Sequence, residues 1–344
     1  MARQLAWPNG KKIAVAVAVM FETWSDGSAP TYSVQTTHLK PGTVDHGGRA
    51  WSTYGGRVGV WRLIRMLDAL QIPGTFFTNA RCAEEYPDAV KQIVRSGHDL
   101  GAHGYTQDQL LAYMTPEEQD KTIRHSIDLL QSCGGQKITG WNSPALAFTP
   151  ETNDLLAQAK LTWTADVTYA DLPIQIPTPH GVIAGVPTSD FADNRVMRAS
   201  PRDLYDALRG TFDYLVENEP MGLLVLVMHC QFGGRALITS VLHEILKYLT
   251  QSAAIWFARH NELAKYALAA GVHELTYRRR FFEDATQSSG DRTSPLISAN
   301  GTSRRFQRAE VTSVVGALAD LQPASPRRCF TALRGARRAR RLDP

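Results

Sequence analysis

Short apolar runs alternate along this chain with amphipathic stretches of helical period. Residues 13–21, Ile-Ala-Val-Ala-Val-Ala-Val-Met-Phe, are small or branched and wholly apolar, which predicts a strand. A long loop containing Gly, Ser and Thr follows over 23–53. Val60, Leu63, Ile64 and Leu67 then fall on one face of a helix predicted over 57–70. Strands predicted at 74–79, 98–103, 138–141, 162–165, 182–186, 223–228 and 254–257 alternate with helices at 87–96, 115–132, 150–160, 201–217, 235–250 and from about 261. Pro87 and the run Thr115-Pro116-Glu117-Glu118 are helix-start signals: a cap, a proline in the first turn and early acids. Strands separated by helices imply parallel pairing through right-handed crossovers. The predicted fold is α/β, a distorted (β/α) barrel with its chemistry on the loops after the strands.

Composition fits one such domain. A chain of 344 residues, 43% apolar, can bury a large core, and a barrel of about 250 residues is a common solution at this size. The net charge of +4 is unevenly placed: residues 278–344 hold 14 Lys and Arg against 6 acids, while residues 1–277 hold 23 against 27. Domain boundaries are therefore set at 1–275 for the barrel and 276–344 for a basic, low-complexity tail expected to be disordered. The tail is read as a solvated extension, and no specific nucleic-acid partner is expected. The apolar run after Lys11-Lys12 is too short for an export signal or a membrane span. Four cysteines without a CxxC pair suit a reducing compartment, and a cytoplasmic location with no membrane partner is expected.

Candidate chemistry gathers at strand ends. Glu22, His103, Asn142 and His229 each follow a predicted strand and so would converge on one rim. Trp24, Trp51, Tyr54, Tyr105 and Trp141 lie near the same loops, where they either stack on a planar substrate or close the barrel top.

An ordered series of motifs over residues 11 to about 270 resembles the polysaccharide deacetylase (NodB-homology) family. It comprises the strand ending Met20-Phe21-Glu22-Thr23-Trp24, the loop from His103 to Gln107, Gly140-Trp141-Asn142-Ser143-Pro144, Asp171-Leu172-Pro173 and Met228-His229-Cys230-Gln231-Phe232-Gly233-Gly234-Arg235. Tyr54-Gly55-Gly56-Arg57-Val58-Gly59 is especially similar to the metal-independent allantoinase branch. The resemblance implies a NodB-type barrel and, in its deacetylases, a carboxylate with two histidines holding a divalent cation such as zinc. Here Gln107 stands where the second histidine belongs, Met20 where the catalytic base belongs, and Asn142 where that base's arginine partner belongs. Glu22 and His103 would be the ligands of any metal, but a neutral carboxamide completes such a set poorly, so no cofactor is expected.

The expected activity is hydrolysis of a carbon–nitrogen bond other than a peptide bond, in a small ureide or cyclic amide, by Glu22, His103 and His229 acting as acid and base. Gln107, Trp141, Asn142, Asp171 and Arg235 are the expected substrate contacts, with Arg235 alternatively packing at a helix start or pairing with Asp171. Other readings are a metal-dependent N-deacetylase of an acetylated amino sugar or polysaccharide, and a non-catalytic ligand-binding barrel. The resemblance also implies a homo-oligomer, with a small amide or amino sugar as substrate.

Overall fold

A computed structural model describes residues 6–33, 39–40 and 42–270. The chain divides after Ser288, and every described residue falls in the first unit, Met1–Ser288. The expected tail over 276–344 lies outside the described residues.

The first strand, β1 (Ile13–Phe21), is buried along its whole length. Its side chains alternate in size as well as in direction. Ile13, Val15, Val17, Val19 and Phe21 pack into the layer between sheet and helices, whereas Ala14, Ala16, Ala18 and Met20 line the barrel interior. After it come α1 (His46–Tyr54), a single π-helical turn over Gly55–Gly59, α2 (Val60–Leu70), β2 (Thr75–Thr78), α3 (Cys82–Glu85), α4 (Pro87–Arg95), β3 (Asp99–Ala102), α5 (Pro116–Gly134), β4 (Gly140–Trp141) and α6 (Thr152–Gln158). The chain continues through β5 (Trp163–Val167), β6 (Ile174–Thr178), β7 (Gly181–Pro187), α7 (Pro201–Asn218), β8 (Gly222–His229), α8 (Ala236–Thr250), β9 (Ile255–Ala258) and α9 (His260–Ala270). Local signals set several boundaries. Thr115 and Glu118 form a reciprocal capping box before Pro116, and Gly135 ends α5 in the left-handed conformation.

The strands form one curled sheet in the order β6-β7-β5-β4-β3-β2-β1-β8, with β9 on the lower half of β1. Every pairing is parallel except β6 with β7, an antiparallel hairpin. That hairpin departs from the all-parallel expectation: Pro177 marks residues 174–178 as loop-like, yet a sheet edge tolerates a residue without an N–H donor. Further departures are the single turn α3 and α1, which the pair Gly47-Gly48 disguises and which Asp45 caps through the Gly48 N–H.

Trp7, Phe77, Trp163, Leu263, Ala264 and Ala267 fill the lower barrel. His260 is buried there, stacked on Trp163 at 5.8 Å and edge-on to Phe77 at 5.0 Å. The filling forces the chemistry to the upper end, and strand register aligns it. Met20 is level with His229, Phe21 with Thr78, Thr78 with Ala102 and Ala102 with Trp141. Glu22, Asn79, His103 and Asn142 are the next residues along their respective strands.

Candidate active site

Glu22 is the hub of this rim. Its Oε1 lies 3.8 Å from Nε2 of both His103 and His229. Oε2 accepts hydrogen bonds from the Gln231 amide at 2.5 Å and the Tyr32 hydroxyl at 3.2 Å. His103 places Nδ1 2.7 Å from the carbonyl oxygen of Asn142. A carbonyl only accepts, so Nδ1 carries a proton and Nε2 is the ring nitrogen that faces Glu22. His229 is gripped from behind by Asp193, whose Oδ1 is 2.6 Å from Nδ1 and whose Oδ2 accepts the His229 backbone N–H at 2.7 Å. Asn79 ties two of these loops together, accepting the Thr23 N–H at 2.9 Å and donating to the His103 carbonyl.

The electrostatics follow from burial and pairing. Burial alone would lower the His229 pKa, but the carboxylates of Asp193 and Glu22 outweigh it and push it up to about 9, so the ring is an imidazolium at neutral pH. Burial alone would raise Glu22, yet His229, His103 and Gln231 hold it below the usual carboxylate range. Tyr32 is raised well above 10 by burial and by Glu22, and remains a donor.

A cavity of about 210 Å³ opens above these groups, lined by Met20, Glu22, His103, Gln107, Asn142 and His229 among others. Of the candidates named from sequence, Glu22, His103, His229, Gln107 and Asn142 come together here. Trp141, Asp171 and Arg235 do not line it. Trp141 is fully buried in the layer between sheet and helices, its indole N–H donating to the Ser143 hydroxyl, because strand alternation turns it away from Asn142. Asp171 is exposed and lines a separate cavity of about 650 Å³ beside β8. Arg235 occupies the first position before α8 without a side-chain cap, its guanidinium donating to the carbonyls of Gln231 and Trp51 and lying 4.2 Å over the Tyr54 ring. Packing at a helix start is thus the reading that its geometry matches.

Sequence reading missed Asp193, Tyr32, Gln231 and Asn79. Asp193 and Tyr32 sit in polar loops with no periodic signal, whereas Gln231 and Asn79 are offset by one or two residues from strand ends and were within reach of the rim argument. The Tyr54-to-Gly59 motif has a packing explanation. A side chain on Gly59 would place Cβ 1.8 Å from the Cys230 carbonyl oxygen, and one on Gly55 would meet the Gln231 nitrogen at 3.1 Å. These glycines let the π turn lie directly on the loop that delivers Gln231 to Glu22.

The donors present do not fit zinc. One carboxylate and one imidazole, Glu22 and His103, are available, but the third position holds the Gln107 carboxamide, and His229 is committed to Asp193 as an imidazolium. Among the described residues no group of three His, Cys, Asp or Glu side chains is arranged to hold a metal ion. What the arrangement supplies is a cation with an N–H, a carboxylate and a second imidazole facing one small cavity.

The family model for polysaccharide deacetylase matches residues 43–164. The peptidoglycan deacetylase of Helicobacter pylori is 21% identical over 247 residues, which is 61% of this chain and 84% of that protein. A peptidoglycan deacetylase-like protein of Gibberella zeae is 31% identical over 122 residues, 33% of this chain and 36% of that protein. Among solved structures, Puue allantoinase superposes with a TM-score of 0.69 at 24% identity, covering 78% of this chain and 94% of that one, a likeness of fold. The chain thus matches the polysaccharide deacetylase model over residues 43–164 and is similar in fold, over 79% of its length, to a putative polysaccharide deacetylase of Mycobacterium smegmatis, with a TM-score of 0.68 at 24% identity.

Proposed function

We propose that the protein hydrolyses an amide bond in a small ureide or cyclic amide, using its own side chains as acid and base. The observation that carries this reading is the grip of Asp193 on His229. It supplies an imidazolium whose Nε2–H faces the cavity, while the position a second metal-binding histidine would take holds Gln107. Three polar atoms at the cavity, His103 Nε2, Gln107 Oε1 and Asn194 Oδ1, have no hydrogen-bond partner among the described residues. Two amide oxygens and an imidazole lone pair suit a ligand rich in N–H groups, as ureides are.

In the proposed reaction a water attacks the substrate carbonyl carbon. His103 Nε2 takes a proton from that water as the oxygen–carbon bond forms, and the Glu22 carboxylate stabilises the cation that develops on the ring. The carbon–nitrogen bond then breaks as His229 Nε2–H gives its proton to the departing nitrogen. A carboxylic acid and an amine nitrogen result, joined in one molecule where the substrate is cyclic. Asn142 contacts the substrate from the cavity wall.

The test is hydrolysis of a panel of ureides, cyclic imides and N-acetyl sugars by the purified protein before and after chelation, with metal content measured on the same sample. Opening of a ureide or imide that survives chelation and is lost in His229→Ala supports the proposal. Deacetylation of N-acetyl sugars that chelation abolishes, with near-stoichiometric metal, overturns it in favour of a metal-dependent N-deacetylase.

A further inference from the structure

Asp166 has no role in the chemistry above, yet it is a carboxylate buried near the end of β5 that accepts three hydrogen bonds from one neighbouring loop, besides an interaction with Thr164 on its own strand. Oδ1 accepts from the Ser143 backbone N–H at 2.7 Å and from the Asn142 side-chain amide at 3.0 Å. Oδ2 accepts the Ser143 hydroxyl at 2.7 Å, and that hydroxyl in turn accepts the Trp141 indole N–H at 3.0 Å. Three donors from two consecutive residues therefore converge on one anion, and charge-assisted bonds of this kind are stronger than neutral ones.

The loop so fixed carries the carbonyl that receives His103 Nδ1. The same Asn142 residue is tied by its backbone N–H to the Ala102 carbonyl at 3.0 Å, directly before His103. The side-chain amide of Asn142 also reaches the Ala165 carbonyl at 3.3 Å. Asn142 is thus pinned from both strands that flank it, and its carbonyl has a set direction toward the imidazole. Burial pushes the Asp166 carboxyl upward in pKa, and the Ser143 donors act against that rise. A buried carboxylate carries a large desolvation cost, and orienting a neighbouring group is one use that warrants keeping it.

We infer that Asp166 is a positioning residue, which through Asn142 and Ser143 sets the tautomer and orientation of His103. This rests on the reading of His103 as the base. Asp166 touches no reacting atom in it. Partners that orient a metal-binding histidine typically cost about 10–100-fold when removed, and a loss of that order is expected for one that orients a base.

The test uses the full chain with 15N-labelled histidine and compares wild type with D166N and S143A. Ring nitrogen spectra report which nitrogen of His103 carries the proton, whatever the substrate. The wild-type ring is expected to show a single Nδ1–H form. D166N should give a mixture of tautomers, and S143A a smaller change in the same direction. With a substrate found as above, D166N should lower kcat about 10–100-fold with KM little changed. A folded D166N protein that keeps the single Nδ1–H form and wild-type kcat overturns the assignment. Where D166N does not fold, a folded S143A with an unchanged His103 spectrum overturns it equally. If the wild type hydrolyses nothing in the panel, the functional reading fails, while the spectra still decide the role of Asp166.

Discussion

Asp193 holds His229 at two points, by the ring nitrogen at 2.6 Å and by the backbone N–H at 2.7 Å, so a single carboxylate fixes the position and the charge of the imidazole together. Replacing it removes both controls at once. D193N should lower activity and move the alkaline limb of the pH–rate profile from near 9 toward the ordinary histidine range, because the cation loses its closest anion. His229→Ala should cost about 10²–10⁴-fold, the usual worth of a general acid. Steady-state rates from pH 5 to 10 check both, and an unmoved limb in D193N would remove His229 from the role of acid.

The same shift has a consequence for stability. The folded pKa of His229 lies above that of the unfolded chain, so its contribution is fully present below about 6.5 and is lost as pH rises through about 9. Glu22 acts in the opposite direction: held low, it contributes above the usual carboxylate range and ceases to as pH falls through its lowered value. Denaturant unfolding of wild type and H229Q at pH 6 and pH 9.5 should show the gap between them narrowing at the higher pH.

His260 gives a prediction of acid sensitivity. Burial among Trp163 and Phe77 pushes its pKa down to about 3, far below the unfolded value, so the unfolded chain binds the proton more readily between those limits. Stability that is complete above about 6.5 should fall steadily as pH drops toward 3. H260F keeps the ring and removes the titration, and its unfolding midpoint should fall less than that of wild type between pH 6.5 and 4. Parallel curves for the two proteins would refute this.

Gln107→His restores a second imidazole four residues beyond His103 at the cavity. The variant should bind zinc far more tightly than wild type, read by metal content after dialysis against a weak chelator. Equal, low occupancy in both proteins would show that the loop geometry, and not the carboxamide, is what disfavours the metal.

Gly59→Ala should be severely destabilising, because its Cβ would overlap the Cys230 carbonyl oxygen at 1.8 Å and no flexible side chain can yield there. A loss of about 1–3 kcal/mol or more is expected from overpacking. Thermal unfolding measures it, and any residual activity should fall further than stability alone explains, because the displaced backbone carries Gln231.

Much of the barrel was legible because its strands are short, apolar and separated by capped helices. β1 and α5 need nothing beyond local pattern, and the strand-end rule placed Glu22, His103, Asn142 and His229 on a common rim. The β6–β7 hairpin was not legible, since Pro177 imitates a loop and only an edge location excuses it. Asp193 was hidden for another reason: its partner is 36 residues away, and nothing within Ser189-Asp190-Phe191-Ala192-Asp193-Asn194 distinguishes one acid from its neighbour. Trp141 and Asn142 show the limit of the rim argument. One residue of offset along a strand separates a core side chain from a cavity side chain.

The π turn at Gly55–Gly59 sets a phase relation as well as a close contact. It inserts one residue beyond the α-helical count, with the Val60 N–H bonding back to the Gly55 carbonyl. The face of α1 that presents Trp51 and Tyr54 to Arg235, and the face of α2 that presents Val60, Leu63 and Leu67 to the core, are therefore offset by that one residue. Deleting a single residue within the turn would restore a continuous α-helix and rotate one face against the other by about 100°. The aromatic pair would then leave the arginine or the apolar row would leave the core, which makes this five-residue segment a rotational gear for the two helices and a place where length matters more than composition.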